Sequence, residues 1–294
     1  MKLKKKDLFP YLYLLPALIA FVVFKYWPII YAGALSFAKW NFVGKIKLVG
    51  FSNYAHMFSS NLFTSSFINT IKYTAILMPF YIIIPLLLAI LILKIKNNFL
   101  SSLYKILIFM PTILSFAITC MVWLWMFNPG FGVINIILSK FGISKLFWLS
   151  DEYLSFWSIV IVSGWKAFGY NMIIYIAGLS AIDPCLMEAA YIDGANTWQT
   201  FWKIKWPLLS PTTLFIVINS LIYASDKAFI PINILTKGGP HEATTNLAYA
   251  IYVYGFELFN SGMANAVSIF TFIIFLIVTF MLTKFMNKRV NYES

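Results

Sequence analysis

Six stretches of about 20 predominantly apolar residues recur along this 294-residue chain, and no other feature restricts its fold as tightly. A helix rises about 1.5 Å per residue, so each stretch can cross the roughly 30 Å hydrocarbon core of a bilayer. Inside lipid every backbone N–H and C=O must be satisfied without water, which leaves the α-helix as the spanning element for runs of this length. The spans read at about 11–36, 69–93, 103–127, 154–182, 212–235 and 267–282. The expected fold is an all-α integral membrane protein with six transmembrane helices. Composition agrees, with 61% hydrophobic residues and 11% charged, against about half apolar and a quarter charged in a soluble domain.

A net charge of +12 invites a nucleic-acid reading, but Arg289 is the single arginine and the lysines are scattered over loops instead of forming one face. Membrane orientation accounts for them better. Six spans place both termini on one side. With the N-terminus inside, the cytoplasmic segments hold Lys2, Lys4, Lys5, Lys6, Lys94, Lys96, Lys203, Lys205, Lys284, Lys288 and Arg289. The outer loops then hold only Lys39, Lys45, Lys47, Lys140, Lys145 and Lys237. The basic segment 1–10 and the tail 288–294 are therefore expected in the cytoplasm, flanking a transmembrane domain over 11–287. The opening MKLKKKD with its apolar run looks like a signal peptide. The run is longer than an h-region, however, and no small-residue cleavage site follows, so an uncleaved first span is expected. Cys120 and Cys185 lie at different depths and lack zinc-ligand spacing, so neither a disulfide nor a metal site is expected.

One polar interruption, 183–211, keeps regular helical patterning between two spans. Asp183-Pro184 reads as an N-cap with proline at the first helical position. Leu186, Ala189 and Ala190 share one face of a short helix, and Gly194 ends it by reaching left-handed backbone angles. Thr197 is expected to cap a second helix carrying Trp198, Phe201 and Trp202, which Pro207 should terminate. Two short helices about a glycine turn suit docking into a partner's groove; the plainer alternative is an interfacial loop.

Other polar residues sit inside apolar runs. Asp226 and Lys227 fall within the fifth span, where charges face a bundle interior or a water-filled path, unless they mark a hydrated helix end. Asn219 suits helix–helix hydrogen bonding or the same path. Trp165, Lys166, Tyr170 and Asn171 cluster in the fourth span. Aromatic faces beside donors suit sugar rings; aromatic packing between spans is the alternative. Asn128-Pro129-Gly130 should end the third span and open a loop able to hold a short surface helix. No Walker A sequence is present, so the chain is not its own ATPase. His56 and His241 are the only histidines, both expected outside, and no convergent acid–base set marks a catalytic site.

Glu188-Ala189-Ala190, three residues, Gly194, nine residues, Ile204, one residue, Trp206 and Pro207 resemble the EAA loop of binding-protein-dependent ABC importer permeases. Only Trp206 departs, standing where leucine is usual. VGFSNY after the first span is similar to a phrase of the same family. So are Thr236-Lys237-Gly238-Gly239-Pro240, Ala243-Thr244-Thr245 and Tyr252-x-x-Gly255-Phe256. The resemblance implies the type I importer permease fold in a bacterial cell membrane, surrounded by lipid. It implies that 183–211 couples to a cytoplasmic ATPase through Glu188, Ala189, Ala190, Gly194, Ile204 and Pro207. It further implies two ATPase copies holding ATP and magnesium, a second homologous permease forming a heterodimer, and an extracytoplasmic solute-binding protein facing Gly238, Gly239 and Pro240. This chain itself would hold no cofactor. The implied cargo is a sugar, an oligosaccharide or glycerol 3-phosphate, moved by alternating access. An ion-coupled secondary transporter using Asp226 is the competing class, and it leaves the EAA spacing unexplained.

Overall fold

The structure, a computed structural model, describes residues 5–287, so the whole tail at 288–294 and the lysines at 2 and 4 lie outside the described residues. The chain divides into two compact units, Met1–Phe63 with Ala250–Ile273, and Thr64–Tyr249 with Ile274–Ser294.

In the first unit α1 (Lys5–Phe21), a π-helical turn over Val22–Tyr26 and α2 (Trp27–Ser36) follow one another without a non-helical residue. Its side chains from Tyr13 to Pro28 are all exposed, as an apolar helix facing lipid or another subunit requires. A hairpin pairs β1 (Ala38–Lys39) with β2 (Lys47–Leu48), and α3 (Ser52–Phe58) comes next. The VGFSNY phrase has a local task here. Asn53 donates to the carbonyls of Ser36 (2.8 Å) and Ala38 (2.9 Å), groups left open where α2 ends. Tyr54 donates to the Ser36 hydroxyl at 2.8 Å. Gly262 lies against this corner, and a Cβ there would stand 2.0 Å from the Ala38 carbonyl oxygen.

The chain continues through α4 (Asn61–Leu93), α5 (Asn98–Ile113), α6 (Phe116–Met126), α7 (Val133–Lys140), α8 (Glu152–Ser180), α9 (Pro184–Ile192), α10 (Thr197–Thr200), a π turn over Phe201–Lys205, α11 (Trp206–Leu208) and α12 (Ser210–Asp226). After α13 (Phe229–Pro231) and a π turn over Ile232–Thr236 come α14 (Leu247–Tyr252), a last π turn over Val253–Glu257 and α15 (Ser261–Asn287). Among the described residues five unbroken stretches are long and apolar enough to cross a membrane: Tyr13–Ser36, Asn61–Leu93, Glu152–Ser180, Ser210–Thr236 and Ser261–Lys284. The second starts eight residues before the expected Asn69 and the last six before Val267. At about 1.5 Å per residue, the 33 residues of α4 exceed a bilayer's hydrocarbon core by several turns.

The third span departs from expectation. Instead of one run over 103–127, α5 and α6 meet at 99°. Leu114 and Ser115 are extended (ψ 146° and 150°), and the Ser115 hydroxyl accepts from the Ile118 N–H at 3.3 Å, starting a new helix. Pro111 removes one bond from the last turn of α5. Hydropathy is blind to such a bend because both arms remain apolar. The core of this unit joins Leu86, Ala89 and Ile92 of α4, Met172 and Tyr175 of α8, and Leu209 and Ile216 around α12. At Gly169 the backbones of α8 and α5 touch, since a Cβ would fall 2.3 Å from the Ile108 oxygen.

Candidate functional site

The segment between α8 and α12 is built by caps. The Asp183 carboxylate accepts from the Cys185 N–H at 2.9 Å, with Pro184 opening α9. At its other end Gly194 N–H bonds to the Tyr191 carbonyl (3.1 Å) and Ala195 N–H to that of Ala190 (2.9 Å), with Gly194 at φ +75°. A Cβ on Gly194 would meet nothing within 4 Å, so backbone conformation alone selects glycine. The next cap is Asn196, not Thr197. Asn196 accepts from the Gln199 N–H at 2.9 Å, while the Gln199 side chain accepts from the Asn196 N–H at 3.0 Å. The Asn-x-x-Gln spacing of a capping box was present in the sequence and outranks a lone threonine. Pro207 does not end the helical path either. A π turn precedes it, the Leu209 N–H bonds to the Lys205 carbonyl at 2.9 Å, and the proline sits in the first turn of α11, where its missing N–H is not needed.

Burial divides this element into two faces. Glu188 and Ala189 are exposed, and Glu188 has no hydrogen-bond or ion-pair partner among the described residues. Ala190 is buried, and Ile204 and Pro207 are half-buried. Phe201 and Trp206 pack on the α4–α8–α12 core, of which the fully buried Leu209 is a member. Trp202 bridges Trp198 and Trp206, with ring centroids 5.5 and 5.6 Å away. The segment that follows α9 is thus joined by its aromatic side chains to packed transmembrane helices.

Within the same unit a cavity of about 360 Å³ is lined by Tyr81, Thr112, Ala167, Tyr170, Asn171, Asn219, Ser220, Ile222, Tyr223 and Lys227. Four sequence candidates meet there: Tyr170, Asn171, Asn219 and Lys227. Trp165 does not line it and packs edge-on against Trp123 at 5.7 Å. Asp226 closes α12, and its side chain lies outside the described set. Asn219 departs from the helix–helix role: it donates to the Phe215 carbonyl of its own helix at 2.9 Å. Asn171 makes the interhelical bonds instead, to the Tyr81 carbonyl (2.8 Å) and the Ser220 hydroxyl (3.2 Å). The reason is Pro85, which has no N–H to offer the carbonyl four residues before it, that of Tyr81. Tyr81, Thr112, Ser220 and Tyr223 escaped the sequence reading, because isolated hydroxyls in apolar helices carry no local pattern. Hydroxyls, two amides, aromatic edges and one ammonium suit a small, highly hydroxylated solute.

Lys166 is 3% exposed yet does not reach the cavity. Its ammonium donates to the carbonyls of Pro111 (3.0 Å), Thr112 (3.4 Å) and Leu114, and lies 4.8 Å from the Phe116 ring centroid. Those carbonyls close α5, where the last four have no intrahelical donor and the helix dipole favours a cation. Thr112 returns a bond from its hydroxyl to the Lys166 carbonyl at 3.1 Å. One lysine thus fixes both the 99° break and a residue of the cavity wall.

At the far end of the α12 path, Gly238 is buried at φ +78°, and a Cβ would stand 2.7 Å from the Tyr249 ring. Asn69 donates to the carbonyls of Glu242 and Ala243, both at 3.1 Å, and Tyr73 to that of Thr244 at 3.1 Å. Asn246 donates to the Ser225 carbonyl at 2.9 Å. Gly238 therefore serves internal packing. Gly239 and Pro240 are half-buried, while Lys237 and His241 are exposed, with His241 Nδ1 2.8 Å from Glu152 Oε1. Among the described residues no group of three or more metal-ligating side chains occurs, and both cysteines are free.

Known proteins share this pattern over nearly the whole chain. Residues 48–292 match the family described as binding-protein-dependent transport system inner membrane component. The chain is 34% identical over 288 residues to the sn-glycerol-3-phosphate transport system permease protein UgpA of Agrobacterium fabrum, covering 96% of each chain. It is 31% identical over 293 residues to the protein of that name from Yersinia pestis, covering 97% of this chain and 96% of the other. Among solved structures, a bacterial ABC transporter involved in the import of the acidic polysaccharide alginate superposes with a TM-score of 0.86 at 25% identity, over 98% of both chains. A further structure of an alginate ABC transporter, in complex with an alginate pentasaccharide-bound periplasmic protein, gives a TM-score of 0.83 at 25% identity, over 95% of this chain and 94% of the other.

Proposed function

The chain belongs to the binding-protein-dependent transport system inner membrane component family, and from that footing we propose how its residues divide the work of import. It is the multi-pass permease subunit of a binding-protein-dependent importer for a carbohydrate or glycerol 3-phosphate. A separate cytoplasmic ATPase, present in two copies, docks against α9 at the exposed Glu188–Ala189 face. Both termini lie on that cytoplasmic side. A second, different permease completes the pathway, and a solute-binding protein engages the outer loop near Gly238, Gly239 and Pro240 through its exposed Lys237 and His241. ATP and magnesium stay in the ATPase; this chain supplies no cofactor site.

The observation that carries this reading is the two-faced segment 183–211. Glu188 is left exposed, while Phe201, Trp206 and Leu209 join the same element to the transmembrane core. Closure of the ATPase pair would then move the core as a unit, exposing the cavity at Tyr170, Asn171, Asn219 and Lys227 alternately to either side. Hydroxyls and the Asn219 amide would meet the solute's hydroxyl groups, and the Lys227 ammonium an anionic group such as a phosphate. The test is reconstitution of this chain with a second permease, the ATPase and the binding protein in proteoliposomes. Uptake should require both ATP and binding protein. Uptake by this chain alone, driven by an ion gradient, would refute the reading.

A further inference from the structure

A groove of about 600 Å³ lies between the end of α4 and the segment from α9 to the following π turn, separate from the substrate cavity. One arm is apolar, formed by Leu87 and Ile90 of α4 with Met187 and Phe201. Its mouth carries two cations, Lys94 and Lys205, beside the exposed rings of Tyr191 and Trp198. Among the described residues no carboxylate lines it, Glu188 included. Lys94 directly follows the last residue of α4. Ile90 lies about one helical turn and Leu87 about two turns deeper, which is roughly 10 Å along the helix. The groove therefore runs from the level of the headgroups, where lysine, tyrosine and tryptophan are favoured, into hydrocarbon depth.

This graded chemistry selects its occupant. A free inorganic anion would use the lysines and leave the apolar arm unfilled. An extended peptide entering that arm would carry unsatisfied backbone groups into lipid. A phospholipid satisfies both ends, and two lysines without a carboxylate favour an anionic headgroup over a zwitterionic one. We propose that this groove is a binding site for an anionic phospholipid, its phosphate paired with Lys94 and Lys205 and one acyl chain lying along Leu87 and Ile90. Such a lipid would bridge α4 to the coupling element and tie the stiffness of that element to membrane composition.

The test uses the purified full chain in detergent, with phosphatidylglycerol and phosphatidylcholine of identical acyl chains titrated and followed by native mass spectrometry. The wild-type chain should hold phosphatidylglycerol more tightly than phosphatidylcholine. Lys94→Gln/Lys205→Gln should weaken phosphatidylglycerol binding about thirtyfold, about 2 kcal/mol at 1.4 kcal/mol per tenfold, and leave phosphatidylcholine binding unchanged. A matched pair on the β1–β2 hairpin, Lys39→Gln/Lys47→Gln, should change neither. Ile90→Trp, which fills the apolar arm, should weaken both lipids. Equal binding of the two lipids by the wild-type chain, or undiminished phosphatidylglycerol binding by the Lys94/Lys205 variant, overturns the proposal. So does displacement of the lipid by inorganic phosphate alone, or its release when two copies of the chain associate. Lipid binding by the isolated chain does not depend on transport, so this outcome and that of the uptake experiment are read separately.

Discussion

Replacing Lys166 with methionine keeps the length and apolar stem of the side chain and removes only its ammonium, which isolates what that charge does. The ammonium serves the carbonyls of Pro111, Thr112 and Leu114 from a site 3% exposed. Two opposing magnitudes decide the outcome. Three lost hydrogen bonds inside a membrane bundle cost about 0.6 kcal/mol each by measured averages, and up to about 1.5 each at the upper end. Against this, methionine relieves the expense of holding an ammonium at membrane depth, about 2.5–3.5 kcal/mol at a helix centre. The terms nearly cancel, so Lys166→Met should shift stability in detergent by no more than about 2 kcal/mol in either direction. Geometry has no such compensation. Without the ammonium the Pro111, Thr112 and Leu114 carbonyls at the end of α5 are no longer drawn together, and Thr112, a cavity residue, keeps its hydroxyl bond to the carbonyl of residue 166 but loses the cation at its own carbonyl. Reconstituted Lys166→Met transporter should therefore show KM for the transported solute raised about tenfold, worth about 1.4 kcal/mol. Lys166→Arg, which keeps charge and several donors, should recover most of the loss. Thermal unfolding and ATP-driven uptake measured on the same preparations separate the two effects. Wild-type KM in the methionine variant would refute the positioning role. So would a fall in uptake that merely tracks a lower unfolding temperature.

Three further outcomes follow from the same contacts. Gly194→Ala forces a left-handed angle at about 1–2 kcal/mol, while Gly194→Asn reaches that angle more readily and finds open space. Uptake should drop in the alanine variant and stay near wild type in the asparagine variant, and a reversed order would show that the small size of Gly194 matters, not its angle. Asn171→Leu strands the Tyr81 carbonyl that Pro85 cannot serve, so unfolding in detergent should lose about 1–3 kcal/mol; an unchanged unfolding temperature contradicts the assignment. Glu188→Lys alters an exposed, unpaired side chain and should leave stability within about 0.5 kcal/mol. It should nonetheless abolish co-purification with the ATPase and ATP-driven uptake, and retention of both would remove Glu188 from the coupling face.

The residues that eluded the sequence share a cause. Span detection sums hydropathy over some 20 positions, so it survives local irregularity, and the segment 183–211 announces itself through caps and glycine within a few residues of one another. The α5–α6 break is different, because the group that stabilises it, Lys166, lies more than fifty residues further along the chain. The Asn171–Tyr81 bond likewise becomes intelligible only when Pro85 is seen four residues after the carbonyl it fails to serve. Reading polar residues in apolar helices as a path for solute therefore mixes two populations. Lys166, Asn171 and Asn246 answer backbone carbonyls that a helix end or a proline has left without donors. Tyr170 and Asn219 line the cavity without making such a repair between helices, and Lys227 lines it beside them. Subtracting the first population from the second is the step that sequence does not permit, since it needs to know which carbonyls are orphaned. Once done, it assigns the polar chemistry of the fourth and fifth spans to separate tasks. Lys166, Asn171 and Asn246 hold irregular helices together, and Tyr170, Asn219 and Lys227 remain as the candidates for contact with the solute.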